Sequence, residues 1–395
     1  MRIAAALLAA GASLGAHAGI LTAPAADLEV SLITYGPGVI YWERFGHDAI
    51  RIRDRVSGDS QDFNYGVFDF ADSAFLLNFA RGRMRYMIEA DPSASNEKDF
   101  TDEGRSVLEQ RLAFSPAQAA QLRKFLIWNL RPENVTYAYD YLTSNCSTRI
   151  RDALNGALGG VLRPQLSARP APQTYRQEID RLMRPQPGLM LPMDLGLGPS
   201  TDRPLNEWQE SFLPMVLAQQ LRSVRIDDGH GGTQPLVVSE RELSPNRLPA
   251  PKDTPPDLEL PLGLAGLALA VIMLGARRRY RLLSAGLATA YVGLSGFFGL
   301  VLLALWTLTT HFAAWGNQNL LVFNPVAFLM LGAAWRTRKG VMAQGWVRTL
   351  CAAQAAVALL ASAAHLVPGL HLQNPAWLLF ATPMWIAVAL GLCAP

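Results

Sequence analysis

Asp140-Tyr-Leu-Thr-Ser-Asn-Cys-Ser-Thr-Arg-Ile-Arg-Asp152 is the stretch around which the rest of the chain is organised. It carries Cys146, the one cysteine of three that precedes the hydrophobic C-terminal region; the others are Cys351 and Cys393. Ser144-Asn145 supplies a helix cap, and the spacing predicts a helix from about Cys146 to Asn155, stopped by Gly156. Cys146 then occupies the first helical turn. There the positive end of the helix dipole, with Arg149 and Arg151 nearby, favours a thiolate. Backbone N–H groups at the same place suit an oxyanion. The plainer reading of Cys146 is a small buried hydrophobe.

The charge distribution sets the compartment. The 395-residue chain has a net charge of +3, yet no Asp or Glu follows Glu259, while eight basic residues do. The residues before that tail are net negative, so the overall positive charge is a membrane-topology signal and gives no case for nucleic acid. Residues 1–18, with Arg2, an apolar run and Ala16-His17-Ala18, read as a secretory signal peptide. Residues 19–244 read as one extracytoplasmic domain and 245–257 as a proline-rich linker. Residues 258–395 read as a membrane domain with spans near 260–276, 283–308, 318–335, 349–367 and 375–393. Arg277–Arg281 and Arg336–Lys339 fall after the first and third spans. The positive-inside rule puts both loops in the cytoplasm and the N-terminal domain outside. In a Gram-negative cell this describes an inner-membrane protein with a periplasmic domain.

Within that domain, Leu28–Tyr35 is rich in β-formers but alternates poorly. Ala49–Arg53 alternates apolar with charged residues, and Phe63–Phe70 completes a hairpin. Ala74–Arg81 reads as a helix, Met84–Glu89 as a strand and Arg105–Ala113 as a helix. Ser115-Pro116 opens a further helix. Residues 160–215 show little periodicity, and Leu236–Ser239 reads as a short strand. Asp194-Leu-Gly-Leu-Gly198 lacks the strand–helix setting of a phosphate cradle.

A thiol nucleophile needs a base, and the base needs an orienting group. His230 sits in a turn-like Asp-Gly-His-Gly-Gly, while His47 opens the Ala49–Arg53 strand beside Gly46, which makes His47 the candidate base. The third member is open between Asn64 on the next strand and Asp69, with Asn145 a further possibility for orienting the thiol or polarising a carbonyl. The one Gly-x-Ser-x-Gly match, Gly11-Ala-Ser-Leu-Gly15, lies within the signal peptide and makes no nucleophile elbow, and there is no metal-ligand spacing. Near the membrane, Thr310, His311, Asn317 and Asn319 fall at the outward ends of spans two and three. They are candidates for binding a head group or amine, or are simply wet loop residues.

Phe45-Gly46-His47-Asp48-Ala49-Ile50-Arg51, Phe63-Asn64-Tyr65-Gly66-Val67-Phe68-Asp69-Phe70 and Asn145-Cys146-Ser147-Thr148-Arg149-Ile150-Arg151-Asp152 resemble the periplasmic domain of the Lnb family of bacterial lipoprotein N-acyltransferases. Phe212-Leu213-Pro214 and the segment His311 to Pro325 are similar to that family too. The order, histidine on an early strand and then Asn-Cys opening a late helix, also resembles circularly permuted papain-like enzymes, lecithin–retinol acyltransferase among them. The resemblance implies an α+β fold, a papain-like (permuted) domain with a small antiparallel sheet and helices, followed by five transmembrane helices. It implies Cys146 as nucleophile, His47 as base and, more weakly, Asn64 as third member, since these relatives often place a second histidine there. Asn145, Arg149, His311, Asn317 and Asn319 are the substrate-binding candidates.

The implied reaction takes an acyl chain from a phospholipid, through a cysteine thioester, to the N-terminal amine of a diacylglyceryl lipoprotein. No metal and no soluble cofactor is expected, because the donor ester already carries the free energy of the acyl group. Two other readings use the same residues. One is a membrane-anchored papain-like cysteine hydrolase of cell-wall peptides, for which five spans are excessive. The other is a non-catalytic envelope assembly protein in which Cys146 is structural.

Overall fold

A computed structural model describes residues 18–68, 73–365, 367 and 374–393. The first 17 residues, Asp69 and His371 lie outside the described residues. The chain divides into two compact units, one built from the residues up to Pro185 with Pro204–Asp253, the other from Gln186–Arg203 with Thr254–Pro395. The sequence reading places 186–203 in the extracytoplasmic domain, but that segment packs instead with the C-terminal unit.

The first unit is built on one antiparallel sheet. Its strands are β1 (Leu28–Tyr35), β2 (His47–Asp54), β3 (Ser60–Val67), β4 (Arg85–Pro92), β5 (Val107–Leu112) and β6 (Thr136–Ala138). A two-stranded ribbon follows, β7 (Arg225–Asp227) with β8 (Thr233–Pro235), and then β9 (Val237–Ser244). The seven-stranded order is β6-β4-β3-β2-β1-β5-β9. β1 is central and buried on both faces, which is why its sequence reads as a nearly continuous apolar run and alternates poorly.

Short helices α1 (Ala18–Thr22) and α2 (Phe75–Arg81) and the longer α3 (Ser93–Asp102), α4 (Pro116–Asn129) and α5 (Cys146–Ala157) belong to the same unit. One face of the sheet packs Leu32, Ile50 and Ile52 with Leu122 and Leu126 of α4 and Ile150 and Leu154 of α5. Each such side chain contributes about 1.5–3 kcal/mol on burial. The opposite face packs Ile33, Tyr35, Ala49 and Val107 with Phe100 of α3.

Two local expectations fail. Val107–Leu112 is a strand and not part of a helix. Over six residues an apolar pattern fits either period, and the free edges of β1 and β9 decide it. Nor does Gly156 stop α5. The helix runs on to Ala157, and Gly159 and Gly160 turn the chain at positive φ.

The second unit has five segments long and apolar enough to cross a membrane, Glu259–Ala276, Arg281–Leu308, Gln318–Lys339, Gly345–His365 and Pro375–Leu392. The third is not one α-helix. It is four pieces, Gln318–Leu321, Pro325–Met330, Leu331–Arg336 and Thr337–Lys339, broken at Asn324-Pro325 where the ring removes a backbone donor. The carbonyls freed by the break are met by neighbours. Gln354 Nε2 donates to Leu321 O at 2.7 Å, while Ser295 Oγ (3.1 Å) and Trp385 Nε1 (2.8 Å) donate to Val322 O. Gly299 permits the close approach, since a Cβ there would stand 2.3 Å from Asn324 Cα.

Candidate active site

Asn145 caps α5 with a complete capping box. Its Oδ1 accepts from Thr148 N at 2.9 Å, and Thr148 Oγ1 accepts from Asn145 N at 2.8 Å. Asn145 Nδ2 donates to the carbonyls of Tyr141 (3.0 Å) and Phe212 (2.9 Å), and Ser147 Oγ donates to Ser211 O at 2.8 Å. Phe212-Leu213-Pro214 is therefore the strap that fixes where α5 begins. Both ends of the Asn145 amide are thus engaged in holding the start of α5.

Cys146 is half-buried. The backbone N–H groups of Asp48, Ser147 and Cys146 itself point at the sulfur. The thiol therefore lies against β2, one residue along from His47. Room for it comes from a bulge in β3, where the pairing with β4 shifts between Tyr65 and Val67. The extra residue is Gly66, at φ +92°, and a Cβ there would sit 3.5 Å from Cys146 Cβ.

His47 is held by the other two central strands. Tyr35 is its partner on β1, and the ring stacks on Phe100 at 5.7 Å between centroids. Its Nε2 lies 3.1 Å from Asn64 Oδ1. The Asn64 amide is oriented by its other contacts, Nδ2 donating to Asp91 Oδ2 at 3.2 Å and Oδ1 accepting from Asn96 Nδ2 at 3.3 Å. An acceptor oxygen facing Nε2 puts the imidazole proton on that nitrogen and leaves Nδ1 as the basic one. Below Asn64 lies a buried network. Arg51 makes a two-pronged contact with Asp62 at 2.7 and 2.9 Å, and Tyr35 Oη and Ser93 Oγ donate to the same carboxylate at 3.0 and 2.6 Å.

The electrostatics correct one expectation. Burial first, and then the Asp48 carboxylate, push the Cys146 thiol up to about 12, and the three backbone N–H groups offset only part of this. Burial, with the Arg105 guanidinium, lowers His47 to about 4 against the small opposing effect of Asn64. The resting pair is thus a thiol beside a neutral imidazole, not the preformed thiolate that the helix dipole and arginines led us to expect. Arg149 lies over the rings of Tyr65 and Tyr137 at 5.4 and 4.7 Å, and Arg151 over Trp208 at 3.8 Å.

Sequence reasoning missed Asp48 and Arg105. Asp48 is fully buried, accepts from Thr34 Oγ1 at 2.8 Å, and is raised by burial to about 7. Arg105 is buried over the Phe100 ring at 4.5 Å and donates to Gly36 O at 2.7 Å. Asp48 lies inside the motif around His47 but was given no role there, and Arg105 carried no sequence signal of its own.

The membrane candidates are placed differently. Asn317 Nδ2 donates to the carbonyls of Leu195 (2.9 Å) and Leu197 (3.1 Å), and Asn319 Nδ2 to Leu195 O (3.0 Å). Both are buried, and both hold the end of the helix Pro187–Gly196 within the second unit. Their amide donors are engaged with backbone, while Asn319 Oδ1 is a buried acceptor with no hydrogen-bond partner among the described residues. His311 is half-buried just before the 3-10 turn Phe312–Ala314.

A sheet domain presenting a cysteine and a histidine on adjoining elements, followed by five membrane-length segments, defines a multi-pass membrane protein with an extramembrane domain. Family models agree domain by domain. The Lnb N-terminal periplasmic domain matches residues 19–181 and the Lnb transmembrane domain matches residues 255–392, together well over half of the chain. The chain belongs to the Lnb family, and its first unit is accordingly a periplasmic domain. No curated protein and no solved structure matches it.

Proposed function

We propose that this protein is an acyltransferase of the inner membrane. It moves an acyl chain from a phospholipid to the N-terminal amine of a diacylglyceryl lipoprotein through a thioester on Cys146. The observation that supports this best is the sulfur of a capped helix start lying against the backbone of Asp48, next to a histidine whose Nε2 faces Asn64.

In the first half-reaction His47 Nδ1 takes the thiol proton as sulfur attacks the ester carbonyl. A C–S bond forms, the C–O bond to the glycerol backbone breaks, and His47 returns the proton to the departing lysophospholipid oxygen. In the second, the lipoprotein amine attacks the thioester. An amide forms, the C–S bond breaks, and the amine proton passes by way of His47 to the released sulfur. A neutral pair at rest suits this cycle, because each proton leaves only as the new bond forms. The N–H groups around the sulfur and the Arg105 cation are the groups nearest to the negative charge that develops. Water in place of the amine would make the same site a hydrolase.

The deciding experiment uses cells depleted of their own N-acylating enzyme and carrying this protein or its Cys146→Ala variant. Mass spectrometry of lipoprotein N-termini is expected to show N-acylation with the wild type and none with the variant. If neither restores it while both are inserted in the membrane, the acceptor is wrong.

A further inference from the structure

Apolar side chains cluster on the periplasmic domain in a place the catalytic pair does not account for. Val39, Ile40, Tyr41 and Trp42 are consecutive and exposed, Val39 by 62%. They crown a built turn. Gly38 N donates to Glu43 O at 2.9 Å, and buried Arg44 ties the base down by donating to Leu182 O at 3.1 Å and Gly38 O at 3.2 Å. A second exposed set, Leu76, Leu77 and Phe79, lies on α2, with Leu76 at 76%. Exposed Arg81, Arg83 and Arg85 follow directly.

The second set borders a stack of rings. The Phe75 ring lies 6.5 Å from Tyr86 between centroids, and burial first, then Tyr41, raises the Tyr86 phenol. Tyr86 in turn stacks on Tyr139 at 4.1 Å. A stack of rings therefore runs inward from α2 to Tyr139, on the segment that leads into the Cys146 helix.

We propose that these exposed apolar residues are the surface by which the periplasmic domain seats on an anionic phospholipid bilayer. The inference rests on the acyl-transfer reading. A contiguous exposed apolar patch marks an interaction surface. Its chemistry selects lipid: Trp and Tyr beside aliphatic side chains suit the bilayer interface, and three arginines at its edge match lipid phosphates. The same chain carries five segments long and apolar enough to cross a bilayer.

The test uses the full chain in nanodiscs of phosphatidylethanolamine and phosphatidylglycerol, with a photoreactive residue at Trp42, Leu76 or, as control, exposed Val56 of the β2–β3 turn. Lipid adducts are expected at Trp42 and Leu76 and not at Val56. Adducts to a second copy of the chain, or equal lipid labelling at Val56, overturn the proposal. In parallel, the double substitution Leu76→Glu, Leu77→Glu is expected to lower acyl transfer from bilayer phospholipid at least tenfold. Thioester formation on Cys146 from a water-soluble short-chain thioester should be unchanged, which also shows that the variant is folded. Unchanged bilayer turnover in that variant overturns the docking surface. A wild type that forms no thioester from any donor overturns the acyl-transfer reading instead, and the crosslinks then judge the surface alone.

Discussion

Polar side chains serve two different purposes in the two units. Around His47 they answer to one another: Arg51 to Asp62, Asn64 to His47 and Asp91, Asn96 to Asn64. Around the broken third span they answer to the backbone: Gln354 to Leu321 O, Ser295 and Trp385 to Val322 O, Asn317 and Asn319 to Leu195 O. The difference follows from the solvent each unit must exclude. A sheet satisfies its own backbone, which frees side chains to orient each other. A break in a membrane-length segment leaves carbonyls that no water reaches, so nearby side chains must meet them first. A polar residue in such a segment is a clamp by default, and a claim on it for substrate needs a polar atom left over.

The sharpest contrast comes from His47→Ala. Losing the base is expected to lower kcat/KM for acyl transfer roughly a thousandfold while thermal unfolding stays close to wild type, since the half-buried ring caps no backbone group. An equal loss of stability and activity would mean that His47 is a packing residue. Gln354→Leu should behave in the opposite way. It leaves the Leu321 carbonyl and the Asn324 amide without this partner, for about 1–3 kcal/mol of destabilisation, read as a lower unfolding midpoint in detergent. Thioester formation on Cys146 should be unaffected at temperatures where the variant is folded.

The smallest effect is a pH signature. His47, lowered to about 4, stays neutral in the native state where the unfolded chain takes up a proton below about 6.5. Acidification through that window therefore favours unfolding. Asp48, raised to about 7, is protonated in the native state while an unfolded carboxyl is still ionised, so the same acidification favours folding through Asp48. The two oppose each other between about pH 6.5 and 4. Asp48→Asn removes the compensating half, and its melting temperature should fall more steeply than wild type over that range. Parallel curves would show that Asp48 is ionised in the native protein.

Much of this architecture was legible in the chain. Strand β1 was readable to its ends because β-formers and Gly36-Pro37-Gly38 bound it, and α5 because Asn145 announces a cap. The five spans were readable from length and apolarity. What escaped depended on placement in three dimensions. The conflict between thiolate and buried thiol could not be weighed without knowing that Asp48 lies against the sulfur. Arg105, predicted inside a helix, comes near His47 and Cys146 only because the next six residues join the sheet. The break in the third span was visible as Asn324-Pro325, yet its meaning required the partners on other helices.

That break has a consequence for how the protein is made. Val322 O receives one of its two hydrogen bonds from Trp385, on the final helix. The third segment therefore reaches the translocon before its last partner has been synthesised. It must wait, sheltered at the insertion machinery or beside the second span, until the ribosome has finished some sixty further residues. Assembly of the membrane unit is thus completed from its C-terminus, and a chain shortened before Trp385 would be released with that carbonyl short of a partner, a ready target for membrane quality control.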